Sequence, residues 1–386
     1  MVALHSNTMR HPFVLLAAFP WLVIAARAAS DRPLSPLPIP GEMVMASPAD
    51  PGQFTFVVGG DNRSVARDLP PPPTAAQIFA ETRLLRPAFA LWTGDTIYGS
   101  DDTPGEAAHE YADFLRLAAA GATPVFNAPG NHEIFRRPEL ERVYESCMSR
   151  LYGSFDYGRS HFIALDTEEA DRAPGVGPAQ LEWLRKDLEA NRGAEHIFVF
   201  SHHPLFPTPD HPRAGFASVA NRDEVHHLFV RYHVTAVFSG HEHLYYASVH
   251  DGVRYIVTGG GGAPSDGAPQ DGGFQHYLLV SVDGNAVKIQ VLQPWRLFEK
   301  VGPVQPDGSC TAMVMNYGHD PLSVLVAFPT DQLGAGAVAT ASWTYKGGTH
   351  PVPAEIVAPL HSGETFVRVM ARQGRGTLVV LKPATK

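Results

Sequence analysis

At 386 residues, 44% hydrophobic and 18% charged, the chain has the composition of an ordinary globular protein of about two to three domains. Thirty Lys and Arg stand against 39 Asp and Glu, a net charge of −9 with no basic stripe. That excludes a nucleic-acid backbone as the main partner, because neutralising phosphates needs gathered cations. Nineteen histidines are many for this length, and several follow apolar runs directly.

In chain order, Arg10 and His11 precede an apolar run at 12–26, and Ala26-Arg27-Ala28 has the small-x-small form of a cleavage site. Residues 1–28 resemble a secretory signal peptide and predict a secreted or periplasmic protein. The run is short for a bilayer span and Pro20 interrupts it, so no transmembrane helix is expected after cleavage. Residues 29–51 are Pro-rich and read as an extended linker. A strand at 54–58 then ends in Gly59-Gly60-Asp61-Asn62-Arg63. Four prolines at 70–73 mark a loop before a helix starting near Thr74. The apolar run 88–92 ends in Thr93-Gly94-Asp95-Thr96-Ile97-Tyr98, and a helix follows at 105–120 with Gly121 placed to stop it. Residues 124–126 lead into Pro129-Gly130-Asn131-His132-Glu133 and a helix over 138–152.

Residues 155–157 and 161–165 form a hairpin around Gly158-Arg159-Ser160. Leu181, Leu184 and Leu188 recur at helical spacing after Pro178. The run 197–200 ends in Ser201-His202-His203-Pro204, and after a helix at 221–232 the run 234–238 ends in Ser239-Gly240-His241-Glu242-His243. Strands follow at 245–249, 253–257, 276–282 and 286–292. The glycines at 259–262 read as a tight backbone crossing, since no GK[ST] follows to make a phosphate cradle. Strands alternating with helices, then strands alone, predict an α/β (α+β) class. Two sheets pack as a sandwich flanked by helices over 52–300, with a small all-β C-terminal domain over 301–386. Cys147 and Cys310 lie far apart, and whether they pair is left open.

In open sheets with covered faces, ligands sit beyond the carboxyl ends of the strands, so five such strand ends can pool their side chains. Asp61, Asp95, Asn131, His202, His241 and His243 offer oxygen and nitrogen of intermediate hardness. That suits Zn, Mn or Fe better than Ca or Cu(I). The set exceeds one open catalytic site and fits two ions sharing a carboxylate, with Asp95, on a Gly-Asp turn after a buried-type strand, as the bridge.

The order GD, GD, GNHE, SHHP, GHEH resembles the calcineurin-like metallophosphoesterase superfamily over about residues 54–292. The resemblance implies a two-metal site hydrolysing a phosphate-ester substrate. Asp61 and His243 would bind the first ion and Asn131, His202 and His241 the second, with Asp95 between them. His132 would stand beside the scissile ester. The family's first motif usually reads Asp-x-His, but here Arg63 occupies the third position, and a guanidinium has no lone pair for a cation. Arg63 reads instead as a clamp on a phosphate oxygen, with pairing to Asp95 as the alternative. Tyr98 stands where purple acid phosphatases carry a metal-binding tyrosine, which would favour an Fe(III)/divalent pair over two divalent ions (Mn, Zn or Fe). His211, nine residues after His202, resembles a substrate-side histidine of that group. The competing reading is a catalytically weak or inactive phosphate- or nucleotide-binding protein of the same fold.

Overall fold

The computed structural model describes residues 32–41, 45–67, 69–99, 101–330, 336–357 and 363–384; the signal-type segment 1–28 lies outside them. The chain opens with β1 (Gln53–Gly59), α1 (Pro73–Leu85), β2 (Ala90–Trp92), α2 (Pro104–Ala119), β3 (Val125–Asn127), the single turn α3 (Asn131–Ile134) and α4 (Pro138–Cys147). The hairpin β4 (Gly153–Tyr157) and β5 (Ser160–Ala164) leads to α5 (Pro178–Ala190), β6 (His196–Phe200), α6 (Val219–Arg231) and β7 (Ala236–Ser239). Strands β8 (Tyr245–His250), β9 (Val253–Thr258), β10 (Tyr277–Asp283) and β11 (Ala286–Leu292) complete the first part.

These strands form two sheets, ordered β11-β10-β1-β2-β3 and β4-β5-β6-β7-β9-β8. Alternation decides what each face meets. Phe54, Phe56 and Val58 of β1 enter an aromatic core between the sheets with Phe162, Phe198 and Phe238, while Val57 turns outward. Each fully buried phenylalanine stabilises this core by about 1.5–3 kcal/mol. On the outer face of the first sheet, Trp92 stacks on Phe79 of α1 at 4.8 Å and lies near Phe114 of α2. On the outer face of the second, Ile163, Val199 and Val237 meet Leu181, Leu184 and Leu188 of α5 and Leu228 and Phe229 of α6. The result is a helix–sheet–sheet–helix sandwich, as the sequence predicts. β1, β2 and β3 run parallel, as do β5, β6, β7 and β9.

Local chemistry sets the helix ends. Thr103 and Glu106 make a reciprocal capping box at the start of α2. The helix ends at Ala119, with Gly121 just beyond the cap as the sequence predicts, and Ala122 takes the left-handed backbone at φ 46°.

The C-terminal strands are β12 (Leu297–Val301), β13 (Cys310–Asn316), β14 (Leu322–Phe328), β15 (Val338–Tyr345), β16 (Gly348–Val352), β17 (Ala354–Val357), β18 (Thr365–Ala371) and β19 (Arg375–Lys382). They form sheets β12-β13-β19-β15-β16 and β14-β18-β17. β12 pairs with β13, so residues 297–301 belong with the C-terminal strands and not with the first sandwich. The seam is buried. Ile78, Leu84 and Leu85 of α1 share one core with Leu322, Val324, Val326 and Phe328. Within it the Glu81 carboxylate accepts from the Tyr277 hydroxyl at 2.6 Å and from the N–H groups of Arg296 and Leu297 at 2.9 and 3.2 Å. The two cysteines do not pair: Cys147 ends α4, and buried Cys310 donates its S–H to the Gly302 carbonyl. No described helix is long and apolar enough to cross a membrane.

Candidate metal centre

Turns after β1, β2, β3, β6 and β7 converge at one end of the sandwich and bring their polar side chains together. Asp61, Asp95 and His202 each place a ligand atom within 4.8 Å of the others, and so do His202, His203 and His241. Asp61, Asp95 and His241 hold left-handed backbones, at φ 56°, 52° and 70°. Such strain costs about 1–3 kcal/mol per residue and persists only where the surroundings impose it. The neighbouring glycines follow from crowding. A Cβ on Gly130 would stand 2.3 Å from Asp95 Oδ1, and one on Gly240 would stand 2.2 Å from Asp61 Oδ2.

The tautomers are set from behind. His202 Nδ1 lies 2.8 Å from the Thr93 carbonyl, His243 Nδ1 lies 2.8 Å from the Pro264 carbonyl, and His132 Nδ1 contacts the Tyr98 carbonyl. A carbonyl only accepts, so each ring carries its proton on Nδ1 and, when neutral, turns an Nε2 lone pair toward the site. His202 Nε2 faces Asn131 Oδ1 at 2.9 Å and Asp95 Oδ1 at 3.3 Å. His243 Nε2 is 3.7 Å from Asp61 Oδ1, and His132 Nε2 is 3.9 Å from Asp95 Oδ2. His241 Nδ1 is 2.9 Å from Asn131 Oδ1 and 3.3 Å from His202 Nε2.

Lone pairs thus oppose lone pairs. Burial, then the charge of Asp95, pushes the Asp61 carboxyl well above its usual range, and its Oδ2 is buried without a hydrogen-bond partner. Burial would raise Asp95 as well, but the positive charge of His202 and His132 in their protonated forms holds it below the carboxylate range. Burial, then His203 and His202, pulls His241 down to about 2, and burial lowers His202 too. Two buried carboxylates, neutral imidazoles and an orphaned oxygen are what a bound cation satisfies, so the residues present fit metal ions of the intermediate class.

The other predicted residues fall at different distances from this cluster. Arg63 is one-fifth exposed, with Nε 3.7 Å from Asp95 Oδ2. Its Nη1 donates to the Ser64 carbonyl at 3.3 Å. The Tyr98 ring lies 6.3 Å from that of His132. His211 stays outside the cluster: it is half exposed, and its Nδ1 is 3.3 Å from Glu242 Oε1.

Glu133, His203 and Glu242 stand inside the motifs, but their residue types alone assign them no role. Glu133 is fully buried and accepts from the N–H groups of Asp95, Thr96 and Gly130 at 2.9, 2.6 and 2.7 Å and from the Thr96 hydroxyl at 2.6 Å. It holds the two ligand-bearing turns together. The signal for it was available: a carboxylate three residues after the Gly130 N-cap. Glu242 accepts from the Thr208 N–H at 3.0 Å and from its hydroxyl, tying the loop after Pro204 to the GHEH turn. His203 donates from Nδ1 to Glu168, a partner 35 positions away that no local pattern announces.

Residues 73–245 match the family model described as calcineurin-like phosphoesterase. A Homo sapiens protein named serine/threonine-protein phosphatase CPPED1 is 29% identical over 185 residues, covering 45% of this chain and 59% of that protein. A Mus musculus tartrate-resistant acid phosphatase type 5 is 32% identical over 216 residues, covering 48% and 64%. The chain thus spans 59% of the length of the first of these relatives. Among solved structures, a dimetal phosphatase from Danio rerio superposes with a TM-score of 0.48 at 16% identity, covering 62% of this chain and 99% of that one.

Proposed function

We propose that this chain, whose residues 73–245 match the calcineurin-like phosphoesterase model, hydrolyses phosphate esters with a pair of metal ions. Asp61, Asp95 and His243 would hold one ion, and Asp95, Asn131, His202 and His241 the other. When bound, the pair supplies Lewis acidity and lowers the pKa of a water from about 15.7 toward ~7. The observation that carries this reading is the tautomer pattern. Main-chain carbonyls behind His202 and His243 commit their Nδ1 protons, so that Nε2 lone pairs face two buried carboxylates and an amide oxygen.

The remaining residues act on the ester. Arg63 lies beside Asp95, and its guanidinium would offset charge on a phosphoryl oxygen bound there. His132 is fixed at Nδ1 by the Tyr98 carbonyl, with Nε2 3.9 Å from Asp95 Oδ2. In its protonated form Nε2 hands a proton to the leaving oxygen. A phenolate contribution from Tyr98 to an iron-containing first site rests on its place in the motif order; its ring lies 6.3 Å from that of His132. Export through residues 1–28 rests on the sequence pattern, and N-terminal sequencing of the mature protein from Ala29 tests it.

The decisive experiment is elemental analysis with an aryl phosphate panel, on protein reconstituted separately with Fe/Zn, Mn and Zn. Two ions per chain with turnover supports hydrolysis. One ion or none, with tight phosphate binding and no turnover, supports the binding protein instead, for which Arg63 in a ligand's position is the motivating departure.

A further inference from the structure

Among the ligand rings named above, His241 is anchored differently from the rest. His202 and His243 donate Nδ1–H to carbonyls at 2.8 Å, but His241 spends Nδ1 on the site itself. Among the described residues no hydrogen bond reaches its Nε2. Its backbone is left-handed at φ 70°.

The ring is held by another ring. His203 lies against the face of His241 with centroids 3.9 Å apart and planes 32° from parallel, whereas His202 meets it edge-on at 5.1 Å and 78°. His203 is itself immobilised. It is buried, its main-chain N–H donates to Thr167 Oγ1 at 3.0 Å, and its Nδ1–H donates to Glu168. The Thr167 hydroxyl closes the network by donating to the same Glu168 oxygen at 2.9 Å.

We propose that His203, oriented by Glu168, is a positioning residue whose ring face sets the plane of His241 and so the affinity of the second cation site. This rests on the reading that Asn131, His202 and His241 hold that cation. The rings overlap face to face at a 32° tilt, and a ligand atom of His203 also lies within 4.8 Å of one on His202 and one on His241, so the His203→Phe variant below separates a platform from a ligand.

The test is titration of the metal-free full chain with Zn(II), and with Co(II) read by its visible absorption bands. Wild type should take up two ions. His203→Ala and Glu168→Ala should each weaken the second by ~10–100-fold and shift the Co(II) bands, leaving the first ion unaffected. Because they act as one unit, the double variant should lose no more than either single. His203→Phe combined with Glu168→Gln keeps a ring face and strands no buried charge. It should bind within about threefold of wild type with wild-type bands, well short of the loss expected for an outer-shell deletion. Thermal melts check that each variant folds. Wild-type affinity in His203→Ala overturns the proposal. So does a His203→Phe/Glu168→Gln variant as weak as His203→Ala, because then the nitrogen matters and not the face. A wild-type chain that binds no cation removes the preceding reading and this one together. Two ions in wild type with silent variants removes this one alone.

Discussion

Glu133→Gln is the sharpest perturbation of the site that leaves every proposed ligand in place. One Glu133 oxygen accepts from the Thr96 N–H and hydroxyl, and the other from the N–H groups of Asp95 and Gly130. An amide nitrogen on the second side would oppose two N–H donors. On the first side it opposes only the Thr96 N–H, since a hydroxyl can turn and accept. One buried N–H is therefore stranded at least, costing about 1–3 kcal/mol, and the bonds that remain lose their charge assistance. Part of this is recovered by not burying a carboxylate whose pKa burial and then Asp95 raise to about 7. The net is about 2 kcal/mol, set against an Asp95 backbone at φ 52° that itself stores about 1–3 kcal/mol. That is a factor of roughly 30 in the population of the correctly held turn. Zn(II) affinity and kcat on an aryl phosphate should both fall about 10–100-fold, with far-ultraviolet circular dichroism unchanged. Glu133→Asp, one methylene shorter, cannot span both turns and should be no better. If Glu133→Gln binds two ions and turns over at the wild-type rate, the carboxylate does not organise the site and the reasoning is wrong.

Three further outcomes follow from other contacts. Gly130→Ala forces a Cβ to 2.3 Å from Asp95 Oδ1 and 2.7 Å from Glu133 Oε2, so it should abolish cation uptake in a chain that still melts cooperatively; uptake at wild-type affinity would refute the packing argument. His161 lies far from the site, its two nitrogens 2.7 and 2.8 Å from Asp156 and Asp187. Burial alone would lower its pKa, but the two carboxylates outweigh that and raise it to about 9, against 6.5 for a free imidazole. The stabilisation, on the order of 3 kcal/mol, is present in full below about pH 6.5 and is lost as pH rises through about 9. Urea melts at pH 6 and 9.5 should show that loss in wild type and not in His161→Gln; equal slopes in the two proteins would sink it. Finally, iron-loaded wild type should be violet and Tyr98→Phe colourless, and an unchanged visible band in the variant would remove Tyr98 from the first site.

Much of this molecule is written in short-range pattern. The alternation of Phe54, Phe56 and Val58 and the Leu181, Leu184, Leu188 spacing determine which faces are buried, because strand and helix periods are properties of the backbone alone. The ligand types at five strand ends, each beside Gly or Pro, were legible for a similar reason: tight turns need small residues and metal sites need lone pairs, and both leave residue identities behind. What the tertiary structure alone decided is the set of pairings between distant segments. Glu168 reaches His203, the Thr93 and Pro264 carbonyls choose histidine tautomers, Glu81 bolts β12 to α1, and His211 is drawn to Glu242. None of these leaves a mark on the sequence. A hydrogen bond between segments depends on how two packed layers register in space, and a carbonyl is the same atom in every residue.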